Sequence, residues 1–259
     1  MQATWTVDKI SVNAWRKLVD EYRDEPIPKE RRTLNVQRKG IVLTKTVVWH
    51  RIIGCQVTTQ QRSGRNTLVT KFLESASPLF DLKVVKKCAS LEELAQDELT
   101  AAGLRMTKKV PKRLQAIYDL LEDGEWSTLL SQLETIRKRT TQNKERAVVN
   151  YLTGLQNGSK SKRFPGLGQK QSRNFIQWLG LSRWEVPLDS RVLRVLRTQG
   201  ANFVPKGNSL ADATVYLFVQ DLLQIIASRL GIFPCELDAC MFASGEGKIE
   251  DDDEEVDED

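Results

Sequence analysis

A chain of 259 residues, 40% hydrophobic and 28% charged, is long enough to bury one large core or two smaller ones. The net charge of +5 conceals an uneven distribution: residues 246–259 hold ten acidic residues and one lysine, a local charge of 1 − 10 = −9, so the other 245 carry 5 + 9 = +14. A body that basic attracts polyanions and makes nucleic acid the leading partner class. Cys55, Cys88, Cys235 and Cys240 form neither a disulfide framework nor a zinc pattern, and no stretch reaches the roughly 18 apolar residues of a membrane span, so an intracellular chain with no membrane partner is expected.

In chain order, helical periodicity dominates. Ser11 begins a helix whose Trp15, Leu18, Val19 and Tyr22 share one face, with Pro26 and Pro28 closing it and Lys29 to Lys39 reading as a connector. Val42 to Gln56 is an apolar helix carrying His50, which is expected to be structural, and a polar turn leads to another helix near Asn66 to Leu73. Further helices are expected over Leu91 to Leu104, Thr107 to Leu121, Glu125 to Arg139 and Lys144 to Leu155. After the basic NGSKSKR come helices from about Lys170 to Leu179, after Asp189, and from Val215 to Leu230. No segment reads as a convincing strand, which predicts an all-α fold. Residues 246–259 lack the apolar side chains to offset ordering entropy and are expected to be disordered; folding back over the basic body as a mimic of DNA phosphate is the sharper alternative.

The segment Phe164-Pro165-Gly166-Leu167-Gly168 is a tight apolar turn before a helix, in which proline fixes the entry and two glycines permit unusual backbone angles. Its N–H groups and the helix's positive end would face outward together, an arrangement suited to phosphate. Gln169 and Lys170 follow, and Asp189 stands 19 residues beyond Lys170 in VPLDSRV, placed to cap the next helix.

The run FPGLGQKQSRNFIQWLGLSRWEVPLDSRVLRVL resembles the signature of the helix-hairpin-helix DNA glycosylases, the superfamily of endonuclease III and 8-oxoguanine DNA glycosylase. The resemblance implies a two-lobed helical fold: residues 1–41 pack with 197–245 as one lobe, and 42–196 form the central lobe. It implies Lys170 and Asp189 as the catalytic pair of a bifunctional glycosylase and abasic-site lyase. A lysine that attacks a sugar carbon must be neutral, and the first turn of a helix opposes its positive charge. A carboxylate beside it can stabilise an oxocarbenium-like sugar or assist proton transfer.

DNA contacts are expected at Gly166, Leu167, Gly168, Gln169, Arg173 and Arg191, with Lys160, Lys162 and Arg163 adding charge. The turn after the early buried helix matches the place where family members fill the space left by an extruded base, which nominates Gln56, Thr58, Thr59, Gln60 and Gln61. Trp184, Phe233, Asp238 and Phe242 are candidates for the base pocket. The four closely spaced cysteines of iron-sulfur members are missing after the catalytic region, so no iron-sulfur cluster and no required cofactor or metal are expected, with a monovalent cation at the hairpin the one allowance. Together with VPLD, this favours 8-oxoguanine as the excised base. An oxidised pyrimidine or a modified base of foreign DNA, and a hairpin that binds DNA without catalysis, are the alternatives. The expected partner is double-stranded DNA bound by a monomer, in the cytoplasm or nucleoid of a prokaryote or the nucleus of a eukaryote.

Overall fold

The computed structural model describes residues 5–59, 61, 64, 66–154, 164–201 and 203–245. They form α1 (Lys9–Tyr22), α2 (Pro26–Arg31), α3 (Lys45–Val57), α4 (Leu68–Leu73), α5 (Leu82–Val85), α6 (Leu91–Ala101), α7 (Lys109–Leu120), α8 (Trp126–Lys138), α9 (Gln142–Thr153), α10 (Gln169–Trp178), α11 (Ser190–Thr198), α12 (Ala213–Leu230) and α13 (Pro234–Gly245), with no strand among the described residues. The all-α expectation holds. The acidic tail, Gln60 and the basic residues 160, 162 and 163 lie outside the described residues. No single described helix is long and apolar enough to cross a membrane.

The helix starts follow from local chemistry. The side chains of Asp8, Thr44, Thr67, Ser90, Thr141, Asp189 and Asp212 each accept a backbone N–H in the first turn of the helix they precede. Gly154 and Gly231 end α9 and α12 in the left-handed conformation, at φ +80° and +73°.

Two apolar cores result. The first gathers α3 to α10, with Val48, Trp49, Ile52, Leu114, Leu133, Val149, Phe164, Leu167, Phe175 and Leu181 fully or almost fully buried. The second gathers Trp15, Leu18 and Val19 of α1 with Val186, Leu188, Leu193, Leu196, Tyr216, Leu223 and Met241. The boundary between cores therefore falls between Leu181 and Val186, not after residue 196. In α11, Val192, Leu193 and Leu196 form one apolar stripe whose partners are on α1, α12 and α13, so packing overrides the sequence division.

The segment read as a connector is also helical. Pro26 and Pro28 fall in the first turn of α2, where a missing N–H costs nothing, and they start a helix that continues through a wider turn at Arg32–Val36. Its polar residues are structural: buried Asn35 donates to the carbonyls of Gln177 and Ser182 at 3.0 and 2.8 Å. The Arg38 guanidinium donates to Ile136 and Arg137 carbonyls at 2.6 and 2.7 Å, capping the end of α8, and to the Leu181 carbonyl in the turn after α10 at 3.1 Å. His50 is half-buried, bonded to the Leu73 carbonyl at 3.1 Å and packed on Phe80.

Candidate active site

The hairpin turn is anchored from below. Phe164 and Leu167 are fully buried, and each apolar side chain contributes about 1.5–3 kcal/mol to holding the turn down. The Phe164 N–H donates to the Leu152 carbonyl of α9 at 3.3 Å, and the Ser172 hydroxyl of α10 donates to the Leu167 carbonyl at 2.9 Å. Of the two glycines only Gly166 needs to be one: its φ is +77°, and a Cβ there would collide with the Gln56 amide. Gly168 has φ −76° and ψ −166°, an ordinary extended conformation, and its missing side chain leaves open space before α10. The expectation of two unusual backbone angles is thus halved.

Lys170 is the second residue of α10, and Asp189 is the N-cap of α11. Lys170 Nζ lies 3.1 Å from Asp189 Oδ2, with side chains 34% and 14% exposed. Asp189 Oδ1 accepts the Val192 N–H at 3.1 Å, and Oδ2 also accepts from Arg191 Nη2 at 2.9 Å. Burial opposes ionisation of this carboxyl, but the charges of Lys170 and Arg191, the Arg191 hydrogen bond and the Val192 cap hold it well below the usual carboxylate range. An anion therefore stands at hydrogen-bond distance from an amine that is partly open to solvent. This geometry can stabilise positive charge on an atom bonding to Nζ.

The remaining expected contacts divide. Arg191 stays at the site, bound to Asp189 and stacked on Phe242 with its guanidinium carbon 4.5 Å from the ring centre. Arg173 does not reach the surface: its side chain is 1% exposed, Nε lies 2.7 Å from Glu185 Oε2, and it donates to Gln169 and Gln220. A helix period of 3.6 residues turns position 173 inward from the first turn, toward the junction between the cores. Gln169 is half-buried and accepts twice from that arginine.

Gln56 is fully buried and donates to the Pro165 carbonyl at 2.8 Å, so it braces the hairpin from below and is not free to enter a base stack. Thr58 is buried too, its hydroxyl donating to Gly54 and Cys55 carbonyls at the end of α3. Partly exposed Thr59 and Gln61 remain at this turn. Gln171, next to Lys170, reaches Thr59 Oγ1 at 3.3 Å, and Gln61 accepts the Arg105 N–H at 3.0 Å.

Asp238 and Phe242 of α13 come to the neighbourhood of the pair. Asp238 is buried and accepts from Gln177 at 3.0 Å; burial raises its carboxyl to about 6, against the lowering effects of Arg31, Gln177 and Arg191, while Asp189 adds to the rise. Trp184 and Phe233 instead pack edge to face at 5.3 Å, with the Arg183 guanidinium over Phe233, and tie the turn at residues 182–185 to the start of α13. Glu145 was invisible as a functional residue in the sequence. Buried in α9, it accepts the N–H groups of Arg183, Trp184 and Glu185 at 2.9, 2.9 and 3.1 Å and so shapes the segment leading to Asp189.

No protein-family model matches the sequence, and no curated protein matches it significantly. Solved structures do. The 8-oxoguanine DNA glycosylase of Thermotoga maritima superposes with a TM-score of 0.61 at 18% identity, over 93% of this chain and 100% of that one. The 8-oxoguanine DNA glycosylase of Methanocaldococcus jannaschii gives a TM-score of 0.62 at 13% identity, over 93% and 96%. The Methanocaldococcus jannaschii 8-oxoguanine glycosylase/lyase in complex with a 15mer DNA containing 8-oxoguanine gives 0.56 at 14% identity, over 92% and 100%. Across nearly its whole length, this chain has the fold of these helical 8-oxoguanine DNA glycosylase structures.

Proposed function

We propose that this protein is a base-excision repair glycosylase that removes 8-oxoguanine from double-stranded DNA and then cleaves the abasic strand as a lyase. The observation that carries the reading is the lysine–carboxylate pair, 3.1 Å apart, with the lysine in the first turn of the helix that follows the hairpin. The shared fold and the net +14 of the residues before the acidic tail support it.

In this mechanism the hairpin N–H groups and the start of α10 hold a phosphate beside the target nucleotide, which is turned out of the stack. Lys170 gives up a proton to water, and Nζ bonds to C1′ as the bond from C1′ to the base breaks. The electron pair departs with the base, which takes up a proton. Asp189, kept ionised by Arg191, faces the positive charge that develops on the sugar. Ring opening gives a protonated imine; loss of a C2′ proton expels the 3′ oxygen with the downstream strand, and water then frees the lysine. The protein needs no second copy for these steps and acts as a monomer, and the amine itself captures the sugar without a cofactor.

Borohydride trapping tests this directly, on duplexes that each hold 8-oxoguanine, an oxidised pyrimidine or an abasic site. Wild-type protein is expected to form a covalent adduct on 8-oxoguanine and abasic duplexes, and Lys170→Gln none. Trapping on the oxidised pyrimidine alone would move the substrate, and no trapping on any duplex would remove the lyase.

A further inference from the structure

Lys170 and Asp189 belong to different cores, so something at the junction must hold α10 and the start of α11 in register. Lys170 sits on a helix of the first core, whereas Leu188, immediately before Asp189, is packed in the second. A small rotation of one core against the other would change the separation of the pair.

We propose that Arg173, with Glu185 and Tyr216, is the positioning device that sets this separation, a role that rests on the function proposed above. Arg173 is one helical turn beyond Lys170, and its Nη1 donates to the Gln169 carbonyl at 2.9 Å and to Gln169 Oε1 at 2.7 Å, clasping the turn that carries the lysine. Its Nε faces Glu185 Oε2 at 2.7 Å and donates to Gln220 Oε1 of α12 at 2.8 Å. Glu185 lies four residues before Asp189 and also binds Arg146 of α9 at 2.8 Å.

The second arm runs through Tyr216 of α12. Its ring lies 4.2 Å from the Arg173 guanidinium carbon, while its hydroxyl donates to the Val186 carbonyl at 2.9 Å and accepts the Leu188 N–H at 2.6 Å. One buried cation thus grips the lysine's helix on one side and both ends of the short segment 185–188 on the other. Arg173 and Glu185 are 1% and 0% exposed, so water does not compete for these contacts. A buried ion pair of this kind is weak evidence for stability, since matched apolar side chains can replace it at little cost. Its use here is geometric.

That property supplies the test. Replacing both members, Arg173→Met with Glu185→Met, removes the tether and one charge of each sign, and Arg146, 23% exposed, keeps the Asp221 carboxylate as a neighbouring counter-charge. The double variant is expected to melt near the wild-type temperature and bind 8-oxoguanine duplex within about twofold of wild type. It should trap to full amplitude but with a single-turnover rate constant lower by about 10²-fold, the cost of misplacing reacting groups by about 1 Å. A residue that only stabilised the fold would lower the trapped amplitude and leave the rate constant of the folded fraction unchanged. Tyr216→Phe, which removes only the hydroxyl, is the milder arm and should slow trapping several-fold. Wild-type rate constants in both variants would overturn the proposal. Wild-type protein that traps on no duplex would instead overturn the function reading, and this role with it.

Discussion

Substituting Asp189 two ways separates its chemical role from its structural one. Asparagine keeps an acceptor for the Val192 N–H, so the cap on α11 survives, but the charge beside Lys170 is lost. A sugar carbon bonding to Nζ lies roughly 4 Å from that carboxylate, and at an effective dielectric of about 20 the attraction is about 4 kcal/mol. Solvent reaches the site, since the lysine side chain is 34% exposed, and halving the figure leaves about 2 kcal/mol. That corresponds to a single-turnover rate about 30-fold lower.

Asp189→Ala should be as slow, and should also lose about 1 kcal/mol of stability relative to Asp189→Asn because its cap is gone. Quench-flow or gel-based excision on an 8-oxoguanine duplex gives the rates, and urea unfolding gives the stability gap. An Asp189→Asn protein that excises at the wild-type rate would refute the electrostatic role. Equal stability of the two variants would refute the capping role.

The hairpin glycines should behave oppositely. Gly166→Ala must place a side chain at φ +77° against the Gln56 amide and should cost about 1–2 kcal/mol in thermal unfolding, whereas Gly168→Ala should leave stability unchanged and weaken DNA binding if a phosphate approaches that backbone. Asp238 should make stability fall with rising pH. Its folded carboxyl is raised to about 6 from an ordinary 3.8, so its contribution is complete below about pH 4 and is lost as pH rises through 6. The change is on the order of 3 kcal/mol, and Asp238→Asn should flatten it in urea unfolding between pH 4 and 7, leaving the residual slope in the same direction from buried Glu145. Gln56→Ala should lower hairpin stability by about 1 kcal/mol through the lost bond to Pro165, and should leave the opposite-base preference unaltered, because a buried amide does not enter the stack.

Local rules decided much of this protein. The cap at Asp189, apolar periodicity in α1, α3 and α12, and the turn from Phe164 to Gly168 are short-range features, and each is legible wherever the residues stand. The pairing of Lys170 with Asp189 came from the resemblance of FPGLGQK and VPLDSRV to the helix-hairpin-helix signature; local rules add only that one residue starts a helix and the other caps the next.

Tertiary structure decided what faced what. Arg173 reads as one more basic residue beside a basic hairpin, yet its place one turn into α10 carries it into the junction, where Glu185 and Tyr216 receive it. Gln56 reads as an amide at a polar turn, and the arrival of Gly166 from 110 residues away turns it into a brace. Prolines that look like a helix end begin α2 instead, because Asn35 and Arg38 find carbonyl partners more than 90 residues distant. Burial is a property of neighbours brought together from afar, and periodicity in one segment carries no record of them.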